Sequence, residues 1–301
     1  MDLTGKHILL TGGTGLIGRY ATELLLKAGA RVTSFTRQER QSDNPNLTYV
    51  TCDLRHLKEN APEVGDIDMI VYIAASIPQL HEKKETVFDA KENTLDPFLH
   101  FLKAYGDKAQ KIIFTGTIDI YGFPNTDQFD ESTPVDPPTP YALAKHACEE
   151  YLKFYAKVSN KQHVILRYSQ VYGPNEPFVR VIPFIVDAAV NHKQFTMFGN
   201  PGNRRKFLYA EDAARAILTA ADYDKSDVFQ IAGSEEIAIA DIVKTVEKIT
   251  GQTMEVAHKN EDAPAVHLIP STAKAEALLK FTPETSFEAG IRTVLQTATK
   301  S

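Results

Sequence analysis

Thr11-Gly12-Gly13-Thr14-Gly15-Leu16-Ile17-Gly18 begins on the last residue of an apolar run, His7–Thr11, and leads into a helix-like stretch, Arg19–Ala28. Gly12, Gly15 and Gly18 are spaced by three. Gly12 permits a tight strand-to-helix turn. Gly15 has no Cβ, so a pyrophosphate can approach the backbone, and Gly18 lets the helix pack close to the sheet. The helix N-terminus then offers free N–H groups and a partial positive charge to the phosphates. The strand–turn–helix setting is what separates this motif from a glycine-rich turn with no ligand.

Outward from this turn, short apolar runs alternate with longer amphipathic stretches. The strand candidates are His7–Thr11, Arg31–Phe35, Leu47–Thr51, Met69–Ala74, Lys111–Gly116, His163–Tyr168 and Phe229–Ala232. Several are apolar throughout, as expected for strands covered on both faces of a parallel sheet. Helices are expected near Arg19–Ala28, Lys91–Tyr105, Tyr141–Ser159 and Ala210–Ala221. The alternation predicts a doubly wound, Rossmann-type α/β sheet. The pattern loosens after Tyr172-Gly173-Pro174, with prolines at 174, 177, 183 and 201, and again after about residue 246, with prolines at 264, 270 and 283. The expected organisation is a dinucleotide-binding domain over residues 1–173, joined by 205–245, and a smaller C-terminal substrate lobe from 174–204 and 246–301.

The chain has 301 residues, 43% hydrophobic and 24% charged, which excludes a disordered, collagen-like or coiled-coil protein. The net charge of −6 disfavours broad phosphate-backbone binding, so no nucleic-acid partner is expected. Cys52 and Cys148 are the only cysteines and make no disulfide framework. No apolar run approaches the roughly 20 residues a membrane helix needs, and MDLTGKHILLTGG does not read as a secretion signal. A cytoplasmic, soluble protein without a membrane partner is expected. The nine histidines show no metal-ligand spacing, and His81–Glu85 reads as a solvated face.

The second strand ends at Phe35-Thr36-Arg37. NAD-preferring sites place a carboxylate there for the ribose hydroxyls. Thr36 and Arg37 lack that charge, and an arginine attracts a 2′-phosphate, so NADP is favoured over NAD. The alternative leaves Arg37 on the adenine or in solvent, with NAD bound. Asp53 and Leu54 suit the adenine amino group and ring; Asp53 equally suits capping the next turn.

Tyr141-Ala142-Leu143-Ala144-Lys145 follows Pro137-Pro138-Thr139-Pro140, a helix-starting sequence. Positions i and i+4 share a helix face, so phenol and ammonium can converge. A free tyrosine has a pKa of about 10, and bringing it to about 7 takes roughly 4 kcal/mol. A nearby ammonium supplies that only in a partly desolvated cleft; on an open surface the pair contributes little. Upstream, Thr115-Gly116-Thr117 ends a strand, and Thr117 offers a hydroxyl to a reacting oxygen or to the strand end as a cap.

Taken together these motifs resemble the extended short-chain dehydrogenase/reductase family, the nucleotide-sugar epimerases and dehydratases. The resemblance runs through TGGTGLIG at 11–18, CDLR at 52–55, DMIVYIAA at 68–75, Asn93, TGTIDIYG at 115–122, YALAK at 141–145, LRYSQVYGP at 166–174, RRKFLYAED at 204–212 and FQIAG at 229–233. It implies a catalytic set of Thr117, Tyr141 and Lys145. It implies cofactor contacts from Gly12, Thr14, Gly15, Leu16, Ile17, Gly18, Thr36, Arg37, Asp53, Leu54, Ala74, Ala75 and Asn93, with Tyr141 and Lys145 also touching the cofactor. Lys145 would hold the nicotinamide ribose. Thr117, Gln170 and Arg205 would meet the substrate. Relatives that dehydrate carry Thr-Asp-Glu where this chain has Thr117-Ile118-Asp119; isoleucine cannot protonate a leaving hydroxyl, which disfavours dehydration. Arg204-Arg205-Lys206 reads as a diphosphate site or a solvated turn. Tyr72, where the family has His, reads as packing. Phe98, Phe101, Tyr151, Phe154 and Tyr155 fit either core packing or the helix-bundle interface of a homodimer.

The leading expectation is an NAD(P)-dependent nucleotide-sugar 4-epimerase acting through a transient 4-keto sugar. The alternatives are an NADPH-dependent reductase of a keto sugar or other carbonyl compound, and a non-enzymatic dinucleotide-binding sensor. The complete Thr117–Tyr141–Lys145 set argues against the sensor.

Overall fold

The computed structural model describes residues 1–74, 86–124, 126, 128–177 and 180–299. The chain opens with β1 (His7–Thr11), α1 (Gly18–Lys27), β2 (Arg31–Thr36), β3 (Leu47–Thr51) and β4 (Met69–Tyr72). It continues with α2 (Val87–Ala90), a π-helical turn (Lys91–Leu95), α3 (Asp96–Tyr105), β5 (Lys111–Thr117), a 3₁₀ turn (Ile118–Tyr121), α4 (Pro140–Val158) and β6 (Gln162–Tyr168). Then follow β7 (Val171–Tyr172), α5 (Val181–Val190), β8 (Phe195–Phe198), β9 (Arg204–Arg205), β10 (Leu208–Tyr209), α6 (Ala210–Asp222) and β11 (Asp227–Ile231). The last elements are β12 (Ile237–Ala238), α7 (Ile239–Thr250), β13 (Val256–Lys259) and α8 (Phe287–Ala298).

Seven strands form one sheet in the order β11-β6-β5-β4-β1-β2-β3, and every pairing in it is parallel. This is the Rossmann-type α/β architecture. The order reverses between β1 and β4, and in such sheets the ligand crevice opens beyond the carboxyl ends of the strands at that reversal. Continuous apolarity has its cause here: β1, β4 and β5 are buried along their whole length. One face is covered by α1 and α6 through Leu25, Ala213 and Ile217. The other is covered by α3 and α4 through Phe98, Phe101, Cys148 and Leu152. Tyr72 packs there, edge-on to Phe98 and Phe101 and stacked on Phe114.

A separate apolar cluster joins α5, α7 and α8, with Ile185, Val186, Ile242, Val246, Ile291 and Leu295 at its centre. Residue 245, the expected boundary between domain and lobe, falls inside α7, whose Ile242, Val243 and Val246 all lie in this cluster. The expected helix over 91–105 begins as a π turn and becomes α-helical at Asp96. The five aromatics grouped in the sequence do not share one environment. Phe98 and Phe101 are buried, whereas Tyr151 and Phe154 are exposed and the Tyr155 hydroxyl donates to Asp107.

Candidate functional site

The glycine turn sits at the strand reversal. Gly12 has φ +70°, a conformation that favours glycine, and its Cα faces the Ala74 backbone. Thr11 Oγ1 accepts from the amides of Ile73 and Ala74 at 3.1 Å each, which ties the ends of β1 and β4 together. Ala74, one of the expected cofactor residues, thereby lies at the turn. A Cβ on Gly18 would overlap the Gly12 carbonyl, so Gly18 is needed for the turn itself. A Cβ on Gly15 would meet only the Gly12 oxygen, at 3.2 Å, and Thr14 and Gly15 are exposed. Among the described residues the Leu16 and Ile17 amides have no acceptor. A shallow cradle with unpaired N–H groups at a helix N-terminus suits a pyrophosphate. No role was evident for Gly13 in the sequence. In the structure a side chain there would collide with Ser34 and crowd Thr22 and Leu10, so Gly13 lets α1 lie against β2.

At the end of β2, the Thr36 hydroxyl is folded onto its own chain, donating to the Gln38 carbonyl at 2.7 Å. Arg37 is exposed and has no side-chain partner among the described residues. Asp53 caps the following turn by accepting from the Arg55 amide, and the Arg55 guanidinium grips the same carboxylate. That hydrogen bonding outweighs burial and holds the Asp53 carboxyl down at about 2. Leu54 packs against the Phe35–Phe101 cluster. Asn93 stands in the π turn, its amide donating to the Asp89 carbonyl at 2.9 Å. Single π turns within helices recur at functional sites. Ala75 and His81–Glu85 lie outside the described residues.

Thr117 is the last residue of β5. Its Oγ1 accepts from the Asp119 amide at 3.1 Å, and its hydroxyl also bonds the Asp119 side chain. Helix α4 starts beside it: Thr139 caps the helix by accepting from the Ala142 amide, and Pro140 occupies the first turn. Tyr141 precedes Lys145 by one helical turn, and Lys145 is turned to the sheet. Lys145 is 2% exposed, its Nζ donates to the Thr115 carbonyl at 2.5 Å, and the same nitrogen lies 4.1 Å from the Phe114 ring centroid. Burial pushes the ammonium down to about 8, against the nearby acidic groups Cys148 and Glu149. The ammonium thus sits in a desolvated setting, where a charge acts more strongly on its neighbours than on an open surface.

Across the crevice, Gln170 links β6 to β7, and its carbonyl accepts from the Leu208 amide at 3.0 Å. The basic run 204–206 does not act as one cluster. Arg204 is exposed and faces Glu236 at 3.9 Å, while Arg205 Nη1 donates to the Arg204 and Val266 carbonyls. Alternation along a strand sends neighbouring side chains to opposite faces. Arg205 turns toward Asp119. Burial pushes the Asp119 carboxyl upward, and the charges of Arg180 and Arg205 together with a Thr117 hydrogen bond pull against that. Arg180 also faces Glu176, whose carboxyl is pushed up to about 7 by burial and whose Oε1 has no hydrogen-bond partner among the described residues. The sequence reading missed Arg180 and Glu176. Their signal was two charges set among apolar and proline residues just after Tyr172-Gly173-Pro174. Among the described residues no cluster suits a metal ion.

A parallel sheet that reverses order beside a glycine turn is the Rossmann-type arrangement, in which dinucleotides bind at the reversal. The chain belongs to the NAD dependent epimerase/dehydratase family, matched over residues 8–232, and so to a family of NAD-dependent enzymes. It is 27% identical to a putative UDP-glucose 4-epimerase of Methanocaldococcus jannaschii over 96% of this chain and 97% of that one. It is also 27% identical to the dTDP-4-dehydro-6-deoxyglucose reductase of Escherichia coli, over 82% of this chain and 83% of that one. In fold it matches the UDP-glucuronic acid 4-epimerase of Bacillus cereus, solved with UDP-glucuronic acid and NAD. The TM-score is 0.84 at 24% identity, covering 98% of this chain and 99% of that one. No helix among the described residues is long and apolar enough to cross a membrane.

Proposed function

We propose that this protein is a nucleotide-sugar 4-epimerase working through a 4-keto sugar. The observation that carries the reading is the buried Lys145 ammonium on the Thr115 carbonyl, two residues before Thr117 and one helical turn after Tyr141. A bound nicotinamide supplies hydride acceptance and return at the sugar C4. Tyr141, assisted by the Lys145 charge, takes the C4 hydroxyl proton and gives it back after the keto sugar has turned over. The Thr117 hydroxyl donates to the C4 oxygen and holds it in line. Leu16, Ile17 and the glycine turn hold the cofactor pyrophosphate, with Thr14, Gly18, Ala74 and Asn93 around it. Arg205, with Gln170 nearby and Arg180 opposite, takes the nucleotide diphosphate. Ile118 is buried with Ile120, Tyr121 and Phe129, and an isoleucine cannot protonate a leaving hydroxyl, which favours epimerisation over dehydration.

The exposed Arg37 favours a 2′-phosphate, and hence NADP, beyond the NAD that names the family. The same residue favours a second reading, an NADPH-dependent keto-sugar reductase using the same groups in reverse. The exposed apolar stripe of α4, Leu143, Tyr151, Phe154 and Val158, suits a second copy of the chain, giving a homodimer. Cys52 and Cys148 are free buried thiols, in keeping with a reducing, cytoplasmic setting. The test is incubation with UDP-, dTDP- and GDP-sugars, with and without added NAD or NADP. Epimer formation without net cofactor turnover supports the epimerase; stoichiometric NADPH oxidation with a keto sugar supports the reductase. Failure of both, with the protein folded, refutes the assignment.

A further inference from the structure

Beneath Tyr141 and Lys145 lies an ion pair that the reaction above does not use. Glu149 is 0% exposed and Arg167 4%. Arg167 Nη2 and Nε reach Glu149 Oε2 at 2.7 and 3.0 Å, and Nη1 donates to the Tyr121 hydroxyl at 2.5 Å. Glu149 follows Lys145 by four residues on α4, so Tyr141, Lys145 and Glu149 share one helix face. Arg167 stands on β6 opposite Gly116 of β5. A Cβ on Gly116 would lie 2.5 Å from Glu149 Oε1 and 3.2 Å from Arg167 Cγ, so this glycine makes room for the pair. Gly116 in turn separates Thr115, which receives the Lys145 ammonium, from Thr117. The ion pair thus ties α4 to β6 and, through the Tyr121 hydroxyl, to the turn that follows Thr117.

Stability alone is a poor reason for such a pair, because well-packed apolar residues often serve as well or better. The electrostatics suggest a different purpose. The groups facing Lys145 are Cys148 and Glu149 on its own helix, with Tyr141 one turn earlier by spacing, Phe114 and Thr115 on β5, and, one layer further, Tyr72, Tyr121 and Arg167. Burial pushes the Cys148 thiol up to about 12 and raises the Tyr72 and Tyr121 phenols, so these three stay neutral around pH 7. The carboxylate is the negative charge nearest Lys145 along the helix.

We propose that Glu149 is a positioning residue for Lys145: anchored by Arg167, it seats the first turns of α4 on the sheet and supplies the buried negative charge that keeps the ammonium in place. This role rests on the proposed use of Lys145 but acts on Lys145 before any ligand arrives. The test is an NMR titration of the Lys145 side chain in cofactor-free protein, its signal identified by loss in Lys145→Arg. In Glu149→Gln, Lys145 is expected to titrate about one pH unit lower than in the wild type, and Glu149→Asp restores most of the shift. Glu149→Gln leaves the Arg167 guanidinium buried and unpaired, which threatens folding. The double variant Glu149→Gln/Arg167→Met removes both charges, and a downward shift is expected there too. Wild-type titration of Lys145 in either folded variant overturns the proposal. A shifted Lys145 in a protein that epimerises no nucleotide sugar refutes the proposed function and leaves the positioning role standing.

Discussion

Lys145 Nζ lies 4.1 Å from the centroid of the Phe114 ring and donates to the carbonyl of Thr115, the next residue on β5. The lysine thus exchanges water for one carbonyl and one aromatic face. Its pKa falls from 10.5 to about 8, mainly through burial. The folded protein therefore holds this proton less tightly than the unfolded chain. The penalty is fully present below pH 8 and fades as pH rises from about 8 to 10.5. Lys145→Met is expected to be inactive, yet more stable at pH 7 by roughly 1–2 kcal/mol once the lost hydrogen bond and cation-π contact are set against the relief. Urea unfolding at pH 7 and pH 10 checks this: the gain should shrink at the higher pH.

Glu176 gives the opposite slope. Burial raises its carboxyl from 4.5 to about 7, with Arg180 pulling it back. A raised acid stabilises the fold most below its unfolded value and loses that contribution as pH rises through the folded value. In Glu176→Gln the fall in melting temperature between pH 5 and 8 should be shallower than in the wild type. Thermal melts across that range measure it.

Arg37 is exposed just after β2, where a carboxylate would repel a 2′-phosphate. Arg37→Asp should weaken NADP binding at least about tenfold, the loss of one charge-assisted contact, and leave NAD binding unchanged or improved. Fluorescence titration with both reduced cofactors reads this; equal NADP affinity in the variant contradicts the Arg37 argument.

The apolar stripe of α4 should bury itself against a second copy. Phe154 is 69% exposed in the single chain, so Phe154→Lys should not affect folding. It should convert a dimer to a monomer in sedimentation equilibrium. A wild-type monomer contradicts the interface.

What was legible in the sequence follows from what is local. The strands of the main sheet are buried on both faces, so continuous runs such as Ile8-Leu9-Leu10 and Ile112-Ile113-Phe114 mark them. The glycine turn and the Tyr141–Lys145 spacing were legible for the same reason, each lying within one turn or one helix. The lobe was less legible. Pro183 was read as punctuation, yet it stands in the first turn of α5, where a proline is tolerated. Helix α8 carries Phe287, Ile291, Val294 and Leu295 on one face, a helical period that the surrounding prolines obscured. The charged pairs were not legible at all. Glu149 meets Arg167 across two elements, and Asp119 meets Arg180 and Arg205 across the crevice. No periodicity links partners that only the topology brings together.

The central claim is that hydride leaves and returns to the same sugar carbon while Tyr141 handles the proton. It is tested most directly with a nucleotide sugar deuterated at C4. The expected result is a 4-epimer that retains the deuterium with no net change in cofactor, and a loss of turnover of about 10²-fold or more in a folded Tyr141→Phe variant. Deuterium lost from the product, or full activity in Tyr141→Phe, would contradict it.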